Sequence, residues 1–393
     1  MPTPETHAVL SASSAERWMH CPGSVALSKD IPESSSDYAE EGRLAHALAE
    51  LKLRKKFLEP MSPRAFNTRY NKLARDNHWQ PEMDACTDEY VDYITDIANS
   101  LSTRPFIAVE QRVDFSDFVP GGFGTADCIL IHENTLYVND YKHGKGVPVS
   151  AENNPQMMLY ALGAVLNYRL LCNIQSIHTA IIQPRAGGIK ESNFSRDELM
   201  DWAVFTVRLA AEKAADPDCD EFHSGDWCRF CPAKALCRER SGIVSAMDNF
   251  GGRLPPLLSD DEVANVLSKL DPLIRYGEAV KAYAQNKILS GGEIPGWKLV
   301  EGRGNRVWTD QTAAFEAIKA AGIEEALLYE RKPLTAPALE KALGKKVFAE
   351  VATPYITKQP GKPTLAPLED PREPYNPRFS AAEDFQNIKE DAK

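Results

Sequence analysis

Three cysteines lie close together in the stretch GDWCRFCPAKALC, as Cys228, Cys231 and Cys237. Two residues separate the first pair and five separate the second pair. Thiolates are preferred ligands of structural zinc and of iron–sulfur clusters, and both kinds of site usually take four protein ligands. The triplet therefore predicts a site whose fourth ligand comes from elsewhere in the chain. On position alone, Cys219 is a candidate for that ligand.

Two aspartates come together if the chain turns where its residues suggest. The strand-like segments GTADCILI (Gly124–Ile131) and TLYVNDYK (Thr135–Lys142) flank a turn at Glu133–Asn134. A hairpin that closes at this turn places Asp127 opposite Asp140 on one face of the sheet, among apolar side chains. Two such carboxylates repel each other unless they share a proton or a cation. Because their oxygens suit Mg²⁺ or Mn²⁺, the hairpin predicts a divalent metal site.

Lys142 adds a positive charge to this pair. It lies two positions after Asp140, so the alternation of a strand puts it on the same face. Two acids that hold a divalent ion, with an ammonium group beside them, suit the hydrolysis of a phosphodiester. No Ser–His–Asp arrangement of comparable geometry is predicted. The alternative interpretation is an exposed hairpin end with an ordinary Asp–Lys pair.

The elements that must position these residues follow from hydrophobic periodicity and turn residues. Apolar residues at helical spacing predict a helix over Asp37–Phe57, and Asn154–Pro155 are the start signals of a second helix. Segments rich in β-branched and aromatic residues predict four strands, over Arg104–Phe115, Gly124–Ile131, Thr135–Lys142 and Ile174–Arg185. A crossover helix before the last strand makes that strand parallel to a neighbour. We therefore expect an α/β fold, with a mixed sheet flanked by helices.

The sequence changes character after Arg240. A helix is predicted over Asp260–Leu289, a small β element over Gly296–Trp308, and further helices around Thr312–Ala321 and Ala336–Leu343. From Gln359 onward, proline, charge and little periodicity predict an extended or disordered tail. These changes divide the chain into a first domain over 1–240, a mainly helical accessory domain over 241–358 and a tail over 359–393.

Composition is that of a soluble globular protein, with 393 residues, 43% hydrophobic and 26% charged. No apolar run is long enough to span a bilayer and the N-terminus lacks signal-peptide features, so we expect a cytoplasmic protein without a membrane partner. The net charge of −11 argues against a protein that coats nucleic acid indiscriminately. However, Lys52–Arg75 holds eight Lys or Arg and one acid. That stretch is either a phosphate-attracting surface or a solvated helix face.

Taken together, these residues resemble the RecB-like nucleases of the PD-(D/E)xK superfamily, in the iron–sulfur branch that includes AddB and Cas-type exonucleases. The resemblance covers roughly residues 13–240. Its four motifs occur here in the family's order, as G-x-x-x-H (Gly42–His46), G-x-x-D (Gly124–Asp127), D/E-x-K (Asp140–Lys142) and Q-x-x-x-Y (Gln156–Tyr160). A fainter resemblance is to phage or prophage relatives.

The resemblance implies a restriction-endonuclease-like core and assigns roles to several residues. It implies that His46, Asp127, Asp140 and the Tyr141 carbonyl hold Mg²⁺ or Mn²⁺ and that Lys142 is catalytic. It also implies that Gln156 and Tyr160, one helical turn apart, reach DNA or orient the site. Glu110 is a weaker candidate for an additional acid, and we interpret it as a solvent-facing strand residue.

The same branch of the family supplies a fourth cysteine, placed before the nuclease core. In this chain it corresponds to Cys21, so the resemblance implies that Cys21, Cys228, Cys231 and Cys237 hold a [4Fe–4S] cluster that joins the two ends of the domain. Zinc is the alternative occupant, although zinc sites are usually built from paired C-x-x-C knuckles.

The expected function is a metal-dependent DNA exonuclease in recombination, repair or phage DNA processing. The chain has no G-x-x-x-x-G-K-[ST] motif, so any DNA unwinding would come from a helicase, with a recombinase or single-strand-binding protein as other expected partners. If the protein is phage-encoded, it would act in a bacterial host cell. Two alternatives stay open: a non-catalytic DNA-end-binding protein, and a zinc-stapled scaffold whose carboxylates are structural.

Overall fold

The computed structural model describes residues 8–31, 37–248, 258–300 and 310–320, together with Gly344 and Phe348. The backbone falls into two units, residues 1–300 and 301–393. The first unit contains the sheet and ten of the described helices. In the second unit, the described helix is α11 (Gln311–Ala320).

The first unit is built from helices around one five-stranded sheet. Its helices are α1 (Ala15–His20), α2 (Ser24–Ser28), α3 (Asp37–Leu53), α4 (Pro63–Leu73), α5 (Glu82–Ser100), α6 (Pro155–Tyr168), α7 (Arg196–Trp202), α8 (Arg208–Ala215), α9 (Arg238–Asp248) and α10 (Asp260–Leu289). Its strands are β1 (Phe106–Asp114), β2 (Phe123–His132), β3 (Thr135–Tyr141), β4 (Ser176–Gln183) and β5 (Gly188–Ser195). A π-helical turn, Arg54–Leu58, continues α3, and a short 3-10 turn covers Asp226–Phe230.

The strands follow one another across the sheet in chain order, and only β3 and β4 run parallel. The connection between these two strands is α6, so the predicted mixed sheet with a crossover helix is confirmed. The start of α6 is also as predicted. Asn154 caps the helix by accepting a hydrogen bond from the Met157 N–H, and Pro155 occupies the first turn.

The register of the β2–β3 hairpin matches the prediction from its turn. Cys128 pairs with Asn139 and Ile129 pairs with Val138, so the next position along the ladder sets Asp127 opposite Asp140. Alternate side chains enter different cores. Ile129 and Val138 join the core beneath α6, whereas Cys128 joins the core beneath α3 and α5. Full burial of large apolar side chains on both faces, at about 1.5–3 kcal/mol each, keeps the register from slipping.

Some elements differ from the sequence predictions. The edge strand β5 was not predicted, because its sequence GIKESNFS is polar and it buries little of either face. Around Gly296–Trp308 the described part, to Val300, holds one isolated bridge between Ile294 and Trp297 rather than a strand.

The long helix α10 and the helix α11 confirm the predictions for those segments. Ala336–Leu343 and the segment from Gln359 onward lie outside the described residues, and the predicted boundaries at residues 240 and 358 stay predictions. None of the helices in the described ranges combines the length and the apolar character that crossing a bilayer requires.

Candidate metal centre and cysteine pocket

Three acidic residues form one row across β1, β2 and β3. The β1–β2 ladder pairs Val109 with Cys128 and Gln111 with Ala126, so Glu110 lies across from Asp127, which in turn faces Asp140. The backbone of Glu110 has a φ of 52°, in the left-handed region that is costly for a residue with a side chain. Strain of this kind persists only where surrounding structure imposes it, and it is common at functional sites.

His46 joins this row from α3. Its Nδ1 lies 3.4 Å from Asp127 Oδ1, and its ring packs edge-on against Tyr141 at a centroid distance of 5.5 Å. One ligand atom each from His46, Glu110 and Asp127 lies within 4.8 Å of the other two. A hard divalent ion takes such oxygen and imidazole ligands, so this group is a candidate metal centre.

Glu110 is therefore not the solvent-facing residue that the sequence suggested. It is half-buried and lies across the sheet from Asp127. The signal that would have found it is the β1–β2 turn, where the Phe115 N–H donates to the Gly122 carbonyl. That turn fixes a register in which Glu110 opposes Asp127, but the prediction considered only the β2–β3 turn.

Asp140 and Lys142 form a second part of the site, connected to α6. The buried Asp140 carboxylate lies 3.0 Å from Lys142 Nζ, and Lys142 donates to Gln156 Oε1 at 3.1 Å. Gln156 Nε2 donates to Asp140 Oδ1 at 3.3 Å and to the Tyr160 hydroxyl at 3.0 Å. Four of the five predicted catalytic side chains, those of Asp140, Lys142, Gln156 and Tyr160, thus form one network, and the fifth, Asp127, pairs with His46 instead.

Within the predicted metal set, two members are held differently from His46 and Asp127. Asp140 lies opposite Asp127, outside the group that His46, Glu110 and Asp127 form, and its Oδ2 pairs with Lys142 Nζ at 3.0 Å. Tyr141 contributes its N–H, which donates to Asp127 Oδ2 at 2.8 Å. The predicted role of the Tyr141 carbonyl as a metal ligand stays a prediction.

The charges of His46, Glu110 and Asp127 depend strongly on one another. Burial alone would lower the pKa of His46, but the adjacent Asp127 carboxylate outweighs burial and raises that pKa to about 9. Burial, and then the charge of Asp127, raises the pKa of Glu110 to about 7. Burial acts against ionisation of Asp127 too, but His46 and the Tyr141 N–H hold its pKa below the usual value.

The Asp140–Lys142 pair behaves differently. Burial raises the pKa of Asp140 even though Lys142 lies beside it, and the charge of Asp127 adds to the rise. Burial would lower the pKa of Lys142, but Asp140 and Asp127 raise it above its ordinary value, so Lys142 carries a positive charge. The site therefore holds three carboxyl groups beside His46 and Lys142 in a largely buried space, where a bound cation would favour the ionised forms of the carboxyl groups.

The cysteines of the triplet meet Cys21 around one small cavity of about 20 Å³. Cys21, Cys228, Cys231 and Cys237 all line it, together with Arg17, Lys234 and Arg240. Cys219 does not line the cavity, which argues against it as the fourth ligand. All eight cysteines are free thiols, and burial raises the pKa of Cys228 and Cys231.

The N-terminal segment and the cysteine loop also contact each other directly. The Gly23 N–H donates to the Glu221 carbonyl at 3.0 Å, and a Cβ at Gly23 would come within 2.7 Å of the Phe222 ring. The rings of His20 and Trp227 stack at 4.4 Å. A glycine is required where two backbones approach this closely. These contacts bring Cys21 to the triplet across most of the first unit.

Comparison with known proteins places this arrangement in a family. A family model described as a protein of unknown function, DUF2800, matches residues 7–373. The chain belongs to the DUF2800 family. Among solved structures, the crystal structure of SSO0001 matches 56% of this chain and 95% of its own, with 14% sequence identity and a TM-score of 0.23. A TM-score of this size does not establish a common fold.

This DUF2800 chain also carries an arginine, beside the helix that holds His46, that sequence reasoning missed. Arg185, which follows β4, donates to Glu41 Oε1 at 2.5 Å and to the His143 carbonyl at 3.2 Å, and pairs with Glu82 at 2.7 Å. The guanidinium therefore links α3, α5 and the segment after β3. His143 accepts or donates a 2.8 Å hydrogen bond at the Tyr141 hydroxyl. No sequence motif marks Arg185, because its partners lie far apart in the chain.

Proposed function

We propose that this DUF2800 protein is a divalent-metal-dependent deoxyribonuclease with a restriction-endonuclease-like core, acting as an exonuclease on DNA ends. The observation that carries the proposal is the acidic row of Glu110, Asp127 and Asp140, with His46 on one side and Lys142 on the other. Recombination, repair and phage DNA processing are the processes in which such an enzyme would act.

The residues of the row fit a hard divalent ion. His46, Glu110 and Asp127 would hold Mg²⁺ or Mn²⁺, with the neighbouring Asp140 carboxylate, which also pairs with Lys142, as a further ligand. Bound there, the ion would supply electrophilic polarisation of the scissile phosphate and lower the pKa of an attacking water.

The chain's own residues would do the remaining work of the reaction. The Lys142 ammonium group, held by Asp140 and Gln156, would balance the negative charge that develops on the phosphoryl oxygens. Gln156 fixes the orientation of that ammonium group, because its amide bonds both Lys142 and Asp140. Tyr160, which accepts from Gln156, keeps the amide in the correct orientation.

We propose a [4Fe–4S] cluster rather than zinc for the cysteine cavity. In a tetrahedral zinc site, Zn–S bonds of about 2.3 Å place the sulfur atoms about 3.8 Å apart. Within the described chain, no three of these four sulfur atoms lie within 4.8 Å of one another. A cubane cluster keeps its ligands farther apart, because each thiolate binds a different iron.

The surroundings of the cavity also support an anionic cluster. Arg17, Lys234 and Arg240 line it, and a cluster with four thiolate ligands carries net negative charge. The backbone N–H groups of His223 and Gly225 point to the sulfurs of Cys21 and Cys228, at 3.5 Å and 3.4 Å. Hydrogen bonds of this kind stabilise cluster sulfurs.

A nuclease assay on anaerobically prepared protein tests the proposal. Linear DNA, labelled at either end and in single- or double-stranded form, is expected to shorten from its ends with Mn²⁺ and to survive in EDTA, while covalently closed circles persist. Lys142→Ala is expected to bind DNA but to lose at least a hundredfold in cleavage rate, since it removes charge stabilisation of the transition state. Binding of DNA ends without cleavage by the wild type, under any divalent ion, would instead support a non-catalytic DNA-end-binding protein.

A further inference from the structure

A groove of about 620 Å³ lies between the end of α3, α4 and α5, away from the candidate metal centre. Its lining includes Lys52, Lys55 and Lys56 from the end of α3, and Phe66 and Tyr70 from α4. These residues belong to the basic stretch Lys52–Arg75, for which the metal centre gives no role.

Two lysines supply the free positive charge of this groove. Lys52 is fully paired, because its Nζ lies 2.7 Å from Asp84 and 2.6 Å from Asp88; these aspartates also line the groove, so three lysines against two acids leave a net charge of +1. Lys55 and Lys56 are exposed, and within the described part of the chain neither forms an ion pair. The groove therefore presents two cations whose charge remains available to an anionic ligand.

Aromatic rings lie directly beside these cations. Lys55 Nζ is 3.7 Å from the centroid of the Phe66 ring. Phe66 lies 6.0 Å from Tyr70, which contacts Trp79 edge-on at 5.6 Å. Exposed lysines interleaved with aromatic faces are typical of surfaces that bind single-stranded nucleic acid, where phosphates meet the cations and unpaired bases stack on the rings.

We propose that this groove binds a single-stranded segment of the nucleic-acid substrate, with phosphates on Lys55 and Lys56 and a base against Phe66. The proposal rests on the proposed nuclease function for its choice of ligand. A duplex fits less well, because its bases are paired and stacked and cannot lie on the Phe66 ring. Single-stranded DNA is therefore the occupant that uses both features of the groove.

The position of the groove makes it an anchor rather than the cleavage site. Lys55 follows His46 by nine residues on one continuous helix, which is about 14 Å along the axis and places the two side chains on opposite faces. A single DNA strand that passes around the helix from Lys55 to His46 covers roughly 20 Å. This distance is about six nucleotides at the 3.4 Å spacing of stacked bases.

Fluorescence anisotropy of a labelled 20-nucleotide oligothymidylate, in EDTA to prevent cleavage, tests this assignment on the full chain. The double variant Lys55→Ala/Lys56→Ala is expected to raise the Kd about tenfold and to reduce the slope of log K against log salt by about 1.4, since each phosphate contact contributes about 0.7 for single strands. Phe66→Leu is expected to raise the Kd severalfold and leave the slope unchanged, because it removes stacking and no charge.

Lys72→Ala is the matched control, since Lys72 is an exposed lysine of the same basic stretch that does not line the groove. It is expected to change the Kd less than twofold. A wild-type Kd and slope for the double variant, or equal losses for duplex and single strands, would overturn the proposal. The two proposals can fail separately. If the groove binds single-stranded DNA as expected but the protein shows no Mn²⁺-dependent cleavage, the groove assignment stands and the nuclease function fails. If the protein cleaves DNA but the groove variants bind like the wild type, the nuclease function stands and the groove assignment fails.

Discussion

Protons on His46 and Glu110 determine when the acidic row can accept a metal ion. The pKa of His46 is raised to about 9 and that of Glu110 to about 7, so at neutral pH the metal-free site holds a proton on His46 and often one on Glu110. A divalent ion binds only the deprotonated forms of these ligands. Metal binding must therefore release protons into solution.

The affinity of the site for Mn²⁺ is accordingly expected to increase as pH rises from 6 to 9, by up to about tenfold per pH unit for each proton displaced. Isothermal titration calorimetry in two buffers of different ionisation enthalpy measures both the Kd and the number of protons released. Glu110→Gln should weaken binding and remove the part of the pH dependence near 7. Asp117→Asn, at an exposed surface ion pair, is the control and should match the wild type. A Kd that is independent of pH would contradict these assignments.

At the scale of elements, the site depends on how α3 and α6 are held against the sheet. α6 carries Gln156, whose position is fixed by the Asn154 cap two residues earlier. α3 carries His46, and Arg185 holds the first half of that helix through Glu41. Because Arg185 is mostly buried and also bonds the His143 carbonyl, it connects His46 to the strand end that carries Lys142.

Arg185 is therefore expected to act as a positioning residue. Arg185→Ala should raise the Kd for Mn²⁺ by about threefold to tenfold, less than the loss of a direct partner of a metal ligand, because Arg185 acts on His46 only through α3, while circular dichroism shows a folded protein. Arg185→Lys keeps the charge but not the forked donor geometry, so an intermediate Kd is expected, and this variant decides the question if Arg185→Ala does not fold. Arg169→Ala removes an exposed arginine and is the control. Wild-type Mn²⁺ affinity in a folded Arg185 variant would exclude the positioning role.

Local sequence signals were sufficient for the largely buried elements that begin or end at clear turn or cap residues. The hairpin register that opposes Asp127 and Asp140 followed from one turn, and the start of α6 followed from Asn154 and Pro155. β5 was missed because an edge strand needs little apolar surface. Glu110 was misjudged for a different reason. The place of Glu110 in the site depends on the β1–β2 turn, which sets its register against Asp127. It also depends on a left-handed backbone conformation that residues with a side chain disfavour.

At the scale of the first unit, the cysteine cavity joins segments that are far apart in the chain. Cys21 follows α1, and the triplet lies beyond the whole sheet. A cross-link that closes a segment of about two hundred residues lowers the entropy of the unfolded chain. In the loop-closure model this stabilises the folded state by roughly 5 kcal/mol. Stacking of His20 on Trp227 contributes to the same junction without any cluster.

Cys231→Ser is expected to remove the broad absorbance of an iron–thiolate centre at ~400 nm and to lower the Tm of the first unit by about 10 °C, because the cross-link is lost. Absorbance spectra and calorimetry of anaerobic samples make both measurements. Cys219→Ser, a neighbouring thiol that does not line the cavity, should retain both properties. A colourless wild type that binds stoichiometric zinc, or a Cys231→Ser protein with unchanged melting, would contradict the cluster assignment.

The location of a bound ion tests most directly the central claim, that the acidic row and His46 form a divalent-metal site. Anomalous scattering from crystals soaked in Mn²⁺ is expected to show a peak bounded by His46, Glu110 and Asp127, next to Asp140, and to show none there in Asp127→Asn. A well-occupied Mn²⁺ site elsewhere, with no peak at the acidic row under conditions that saturate the protein, would contradict it.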